Sequence, residues 1–133
     1  MATLGDRLAD LARPALDDAP ARLHGDLWSG NVLWTSAEPA PRDEPDPGIE
    51  GVLIDPAAHG GHREADLAML ALFGAPHLEE LLAGYAEQHP LARGWRHRVA
   101  LHQVYPLAVH AVLFGGSYVP QLRASVTALL DGR

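Results

Sequence analysis

The decapeptide HGDLWSGNVL, residues 24–33, contains the most informative polar side chains of this sequence. Within it Asp26 and Asn31 are separated by four residues, and a second carboxylate, Asp55, follows the apolar run Val52–Ile54 further along the chain. Carboxylate and amide oxygens are the ligands that a hard cation such as Mg²⁺ prefers. A carboxylate beside an acceptor hydroxyl can also take the proton of that hydroxyl. The three residues therefore supply the polar groups that a magnesium-dependent phosphoryl transfer needs.

The spacing of these residues resembles that of a kinase catalytic loop. In kinases the first Asp orients and deprotonates the substrate hydroxyl, while the Asn and the second Asp hold Mg²⁺ on the phosphates of ATP. The resemblance implies that Asp26 is the catalytic residue and that Asn31 and Asp55 are Mg²⁺ ligands, with ATP as the co-substrate. Each of the three could instead be a turn residue that hydrogen-bonds its own backbone.

The amino-acid sequence of the loop restricts the resemblance to one family. His-Gly-Asp replaces the His-Arg-Asp of protein kinases, as in small-molecule kinases of the aminoglycoside-phosphotransferase type. Within that group the decapeptide resembles the fructosamine (ketosamine-3) kinase family. The resemblance extends over roughly residues 23–122 and includes three further blocks: IDPA at 54–57, HREADLAM at 62–69 and LFGGSY at 113–118.

The family resemblance implies both a fold and an activity. The expected fold is α+β and mainly α, the C-terminal lobe of a protein-kinase-like domain with a catalytic β-hairpin. The expected activity is ATP- and Mg²⁺-dependent phosphorylation of a sugar hydroxyl on a ketosamine, a reaction of protein deglycation. Another small-molecule kinase activity, of the aminoglycoside or choline type, is a less favoured alternative.

The resemblance also implies roles for residues around the three polar groups. His24 is expected to pack beneath the loop and to hydrogen-bond backbone near the second Asp. Asp66, on a helix, is expected to accept backbone N–H bonds from the loop. Trp28 could stack against the sugar or only hold the loop in place, and His110 could reach the acceptor pocket.

One part of a kinase nucleotide site is missing from the sequence. All ten basic residues are Arg, and neither GxGxxG nor GxxxxGK[ST] occurs, whereas kinases hold the ATP phosphates with a Lys and a Gly-rich loop. We therefore expect residues 1–133 to form a single C-terminal lobe without its N-terminal ATP-binding lobe. The missing lobe would come from another chain, or the chain would self-associate as a dimer. The alternative is a truncated, noncatalytic binding or regulatory fragment.

Composition restricts the remaining classes of function. The net charge of −7 argues against nucleic acid as a partner, because binding to phosphates requires clustered basic residues. The sequence has no Cys, which excludes disulfides and thiolate metal sites. No stretch has the length of a membrane span, and Met1–Asp10 does not resemble a secretory signal, so a cytoplasmic location is expected.

The sequence pattern also predicts the main elements. Residues 3–17 are predicted to form an amphipathic helix capped by Thr3, and residues 31–35 and 51–55 to pair as a hairpin. Residues 36–50, rich in Pro and acidic groups, are predicted to be an inserted mobile loop. Further helices are predicted at 64–73, 78–88, 93–114 (interrupted at Pro106) and 119–130.

A transition-metal site is a rival interpretation of the histidines. His59, His62 and Glu64 lie close together in the sequence and could ligate a metal, as in a hydrolase. Gly60-Gly61 predicts a flexible loop at this point, and no HExxH motif accompanies it. The kinase interpretation is therefore preferred.

Overall fold

The structure, a computed structural model, describes residues 3–13, 18–36 and 48–131, which are mostly helical with two small antiparallel sheets. The predicted α+β, mainly α class is therefore confirmed. The helices are α1 (Leu4–Ala12), α2 (Glu64–Phe73), α3 (Leu78–Gln88), α4 (Trp95–Phe114) and α5 (Tyr118–Asp131). The strands are β1 (Ala21–Leu23), β2 (Val32–Ser36), β3 (Ile49–Leu53) and β4 (His59–Gly61).

The predicted hairpin is formed by β2 and β3. The register runs from Val32 opposite Leu53 to Ser36 opposite Ile49. Ser36 and Ile49 therefore belong to strands rather than to the predicted loop, whose central residues 37–47 lie outside the described part of the chain. This register brings the start of β2 and the end of β3 together at the base of the hairpin. The polar residues that flank these two strand ends therefore come near each other.

A second strand pair was not predicted from the sequence. β1 pairs antiparallel with β4, with Ala21 opposite Gly61 and Leu23 opposite His59. The prediction of a flexible loop at Gly60-Gly61 is therefore wrong. A Cβ on Gly61 would lie 2.8 Å from Leu23 Cδ1, so the missing side chain lets the strands approach closely.

Helix α1 begins at the predicted cap. The Thr3 hydroxyl accepts the Asp6 N–H at 3.3 Å, and the Asp6 carboxylate accepts the Thr3 N–H at 2.8 Å, which together form a capping box. The described helix ends at Ala12, and residues 14–17 of the predicted helix lie outside the described residues. α1 packs against α4 and α5.

Helix α4 continues through Pro106, so the predicted interruption is wrong. Proline removes one backbone N–H donor, but α4 packs against both α2 and α5, and we attribute the continuity of the helix to this packing. The helix begins at Trp95 rather than Arg93, after Gly94 with a φ of 78°. In the described residues, no helix combines the length and apolarity needed to cross a membrane.

The core lies around α4, against which both α2 and α5 pack. Its buried apolar side chains are mainly leucines: Leu23, Leu27, Leu67, Leu70, Leu82, Leu107 and Leu129. One charged pair is buried with them, Glu64 of α2 and Arg98 of α4, each about 3% exposed at the side chain. The Arg98 Nε and Nη2 donate to the two Glu64 carboxylate oxygens at 2.8 and 2.5 Å, which fixes α2 against α4.

Candidate active site

A tight turn immediately after β1 positions Asp26. Gly25 has a φ of +81°, and a Cβ at this position would lie 2.2 Å from the Ala57 carbonyl oxygen and 2.8 Å from His59 Nδ1. Only glycine satisfies both the backbone conformation and the close approach. The turn leaves Asp26 half-buried at the end of the strand.

Asp66 holds this turn from the first turn of α2. Its two carboxylate oxygens accept the backbone N–H groups of His24 at 2.7 Å and of Gly25 at 3.0 Å. Hydrogen bonds to an ionised acceptor are stronger than neutral ones. The carboxylate also lies in the first turn of α2, near the positive end of the helix dipole, where an acidic side chain stabilises the helix.

The His24 imidazole connects the loop to the end of β3. Nδ1 accepts the Asp26 N–H at 3.3 Å, so Nε2 carries the proton and donates to the Ile54 carbonyl oxygen at 2.9 Å. The Ile54 N–H donates in turn to the Asn31 carbonyl oxygen at 3.0 Å. Ile54 is therefore held between the two halves of the loop, and Asp55 follows it directly.

Asp26 and Asn31 are in direct contact. The Asn31 side-chain amide donates to the backbone oxygen of Asp26 at 2.9 Å and to its carboxylate at 3.2 Å. Asn31 is only 6% exposed and lies in a short 3₁₀ turn before β2. The amide oxygen, on the other arm of the side chain, is not used in these bonds.

Asp55 is exposed and has a φ of 51°, in the left-handed region that non-glycine residues rarely adopt. Within the described residues its carboxylate forms no ion pair. Backbone outliers of this kind are concentrated at functional sites. The structure thus places Asp26, Asn31 and Asp55 at one end of the hairpin.

A cavity of about 560 Å³ opens beside Asp26. Its walls come from α1, the β1–β4 pair, α2 and α4, and they are largely apolar. Asp26 and Asp66 line it, whereas Asn31 and Asp55 do not. Asp26 therefore lines the cavity and also contacts Asn31. The lining includes Leu8, Ala12, Met69, Leu101, Tyr105 and Val109.

The two candidate substrate-binding residues lie in different surroundings. Trp28 is 40% exposed, and its ring packs against the backbone of Gly30, where a Cβ would lie 2.2 Å from ring atom Cη2. It does not line the cavity. His110 does line the cavity, and its ring lies 5.0 Å from the ring of Phe73 and 5.0 Å from that of Tyr118.

A polar cluster next to the cavity was only partly anticipated from the sequence. His62, Glu64 and His102 have potential metal-ligand atoms within 4.8 Å of one another, so His102 takes the place that the metal hypothesis gave to His59. His59 Nδ1 instead lies 2.9 Å from the Ala57 carbonyl oxygen. The separation of 38 positions between Glu64 and His102 concealed the contact, although Arg98 and His102, four apart, indicated a shared face of α4.

The electrostatics of this cluster favour an ion-pair network over a metal site. Both oxygens of Glu64 are bonded to the Arg98 guanidinium, whose positive charge disfavours a second cation there. His102 Nε2 lies 3.3 Å from Glu64 Oε2, and its ring stacks on His62 with a centroid distance of 5.3 Å. Burial lowers the pKa of His102 below its ordinary value of 6.5, against the smaller opposing effect of Glu64.

Comparison with known proteins gives one consistent assignment. The family model described as "Fructosamine kinase" matches residues 3–132. A probable ketoamine kinase of Enterococcus faecium is 41% identical over 103 residues, which cover 77% of this chain and 33% of that protein. The chain thus spans about a third of the length of this relative.

Two solved structures show the same fold. A Thermobifida fusca protein provisionally named a fructosamine-3-kinase superposes with a TM-score of 0.80 and 52% identity, covering 95% of this chain and 39% of that one. A Haemophilus somnus protein with the same provisional name gives a TM-score of 0.69 and 27% identity, covering 92% and 38%. The family predicted from the motifs is confirmed: this chain belongs to the fructosamine kinase family.

Proposed function

We propose that this chain is the C-terminal, catalytic lobe of a ketosamine kinase. In this proposal it directs transfer of the γ-phosphoryl group of ATP to a sugar hydroxyl of a ketosamine. The observation that carries the proposal is the position of Asp26. Asp26 lines the cavity, and its carboxylate accepts a hydrogen bond from the Asn31 side-chain amide. A base between an acceptor pocket and a metal-binding pair is the arrangement that kinase chemistry requires.

Asp26 acts on the acceptor in this mechanism. Its carboxylate orients the sugar hydroxyl and accepts its proton as the hydroxyl oxygen forms a bond to the γ-phosphorus and the bond to the ADP oxygen breaks. The Asn31 amide keeps the carboxylate in place through its 3.2 Å hydrogen bond. Proton transfer to a positioned carboxylate contributes on the order of 10²–10⁴-fold to such reactions.

Asn31 and Asp55 are the residues that would hold Mg²⁺. They offer an amide oxygen and an exposed carboxylate without an ion-pair partner among the described residues, and this oxygen donor set fits a hard cation. The bound ion would neutralise charge on the ATP phosphates. His24 supports the pair by fixing Ile54, and Asp66 supports Asp26 by fixing the turn before it.

His110 and Trp28 are proposed as substrate-binding residues with different roles. His110 reaches the cavity and would contact the acceptor there. Trp28, exposed at the loop surface and outside the cavity, would contact the sugar only at the mouth of the site. ATP phosphates would be held by residues outside this sequence, because the 133 residues contain no Lys and no Gly-rich phosphate motif.

The test is a chimera in which residues 3–132 replace the matching segment of the Thermobifida fusca relative. We expect the chimera to phosphorylate a simple fructosyl alkylamine. Asp26→Asn should lower turnover on the order of 10²–10⁴-fold and leave ATP affinity unchanged. Asp10→Asn, at an exposed position on α1, is the matched control. Near-full turnover by the Asp26 variant would refute the assignment of the base.

The lack of a Lys and of a Gly-rich phosphate motif also favours a second candidate function, a binding or regulatory fragment without activity of its own. The two are separated by calorimetry of the 133-residue chain with ATP and Mg²⁺, and by the chimera. A lobe of a kinase should bind ATP weakly alone and become active in the chimera, whereas a noncatalytic fragment should give a chimera without turnover.

A further inference from the structure

The cavity beside Asp26 has a long apolar wall that a sugar alone would not need. Leu101, Tyr105 and Val109 recur every fourth residue along α4, so they lie on one face of that helix and form one side of the cavity. Leu8 of α1 and Met69 of α2 continue the apolar lining. At about 560 Å³ the cavity has the volume of sites that enclose a whole small molecule.

The charged side chains of the lining also restrict which ligand groups can bind in the cavity. Two carboxylates line the cavity, Asp26 and Asp66, together with the imidazoles of His59, His102 and His110 and no guanidinium. A ligand carboxylate would therefore meet two like charges and no fixed positive partner. A protonated amine, such as the one that links sugar and substituent in a ketosamine, is compatible with these carboxylates.

We propose that this cavity holds the amine substituent of the ketosamine and selects a neutral hydrocarbon chain there. This inference rests on the proposed function, because it takes Asp26 as the point where the sugar hydroxyl lies. The sugar would occupy the end of the cavity beside Asp26, and the substituent would run along the Leu101–Val109 face of α4. The substituent could be the methylene stem of a lysine side chain or a free alkylamine, which share this chemistry.

The first experiment measures binding of a substituent series to the 133-residue chain. The probes are fructosyl adducts of methylamine, propylamine, pentylamine and benzylamine, with the adduct of glycine as the anionic member, followed by ligand-observed NMR titration. We expect the dissociation constant to fall about two- to fourfold for each added methylene group. The glycine adduct should bind more weakly than the methylamine adduct.

Variants on α4 test whether the cavity wall causes the dependence of affinity on substituent length. Val109→Thr keeps the side-chain shape but adds a hydroxyl to the cavity wall, and Tyr105→Ser removes a ring that is 78% exposed, so neither is expected to disturb the core. Both should flatten the dependence on chain length while the methylamine adduct still binds. Val112→Thr is the matched control, since Val112 is 86% exposed on α4 and lies outside the cavity lining.

The outcomes separate this inference from the proposed function. Sugar-dependent binding that is the same for every substituent would overturn the role of the cavity and leave the ketosamine assignment standing. Binding by none of the adducts, or binding of pentylamine as tight as that of its adduct, would overturn both. A peptide with a fructosylated lysine that binds like the pentylamine adduct would identify protein amines as the source. Binding of the free adducts alone would identify small amines, and either result supports the hydrocarbon-selective cavity.

Discussion

Asp66 Oδ1 accepts the backbone N–H of Gly25 at 3.0 Å, although the two residues are 41 positions apart in the sequence. The other carboxylate oxygen accepts the neighbouring N–H of His24 at 2.7 Å. This pair of bonds attaches the turn before Asp26 to the first turn of α2. The position of the proposed base is therefore set by a helix rather than by the loop itself.

Removal of the Asp66 carboxylate should destabilise the chain and displace the loop. Two part-buried N–H groups lose a charged acceptor in Asp66→Ala, and we expect a loss of about 3 kcal/mol in the free energy of unfolding. Asp66→Asn keeps one acceptor oxygen and should lose less. Urea unfolding measures both, with Asp10→Ala on the exposed side of α1 as the control. Equal stability of the alanine variant and the parent chain would show that the loop does not depend on this brace.

Replacement of only one member of the buried pair Glu64 and Arg98 should lower the free energy of unfolding. Arg98→Met leaves a buried carboxylate without its cation, and we expect a loss of about 3–5 kcal/mol. The double variant Glu64→Gln/Arg98→Met should recover part of this loss, because no uncompensated charge remains.

The exposed pair of Arg96 and Glu79 provides the matched control, with side chains 60% and 66% exposed. Arg96→Met should change the free energy of unfolding by no more than about 1 kcal/mol. Urea unfolding of Arg98→Met, the double variant and Arg96→Met measures these losses of stability. An Arg98→Met loss as small as that of the control would mean that the buried pair is not what holds α2 against α4.

His102 should make the chain less stable in mild acid. Burial lowers the pKa of His102 below 6.5 in the folded state, so the unfolded chain takes up the proton first as the pH falls. The contribution to stability is complete above pH 6.5 and is lost as the pH decreases from there through the folded-state pKa. Urea midpoints between pH 7.5 and 5 should decline less in His102→Gln than in the parent chain. His77→Gln, at a side chain 82% exposed, should leave the decline unchanged.

The sequence predicted what depends on local pattern and missed what depends on distant contacts. Helix α2 and the hairpin follow from apolar periodicity and β-branched runs, and they form where predicted. The pairing of β1 with β4 has no local signal, because the paired residues Ala21 and Gly61 are 40 positions apart in the sequence. Pro106 was misjudged for a related reason: helix packing on both sides outweighs one missing hydrogen bond.

The site shows the same division. The Asp26–Asn31 spacing fixes a contact within one loop, so it could be recognised from the sequence. The cavity beside it combines α1, α2 and α4 with the β1–β4 pair, and its apolar face on α4 becomes meaningful only once those elements are placed together. The His102–Glu64 contact was missed because nothing in the two local sequences links them.

The hairpin should cause the isolated 133-residue chain to self-associate. Leu33 and Val52, paired on one face, are 50% and 42% exposed, and Trp34 and Ile49 on the other face are 53% and 77% exposed. Adjacent apolar side chains exposed in this way commonly form association surfaces. We expect sedimentation to show a dimer whose population grows with concentration, and Trp34→Thr/Ile49→Thr to shift it toward monomer. Val112→Thr, at the exposed apolar end of α4, should not shift it. A strictly monomeric chain at high micromolar concentration would mean that the hairpin does not mediate association, and a shift caused only by Val112→Thr would assign the contact to α4 instead.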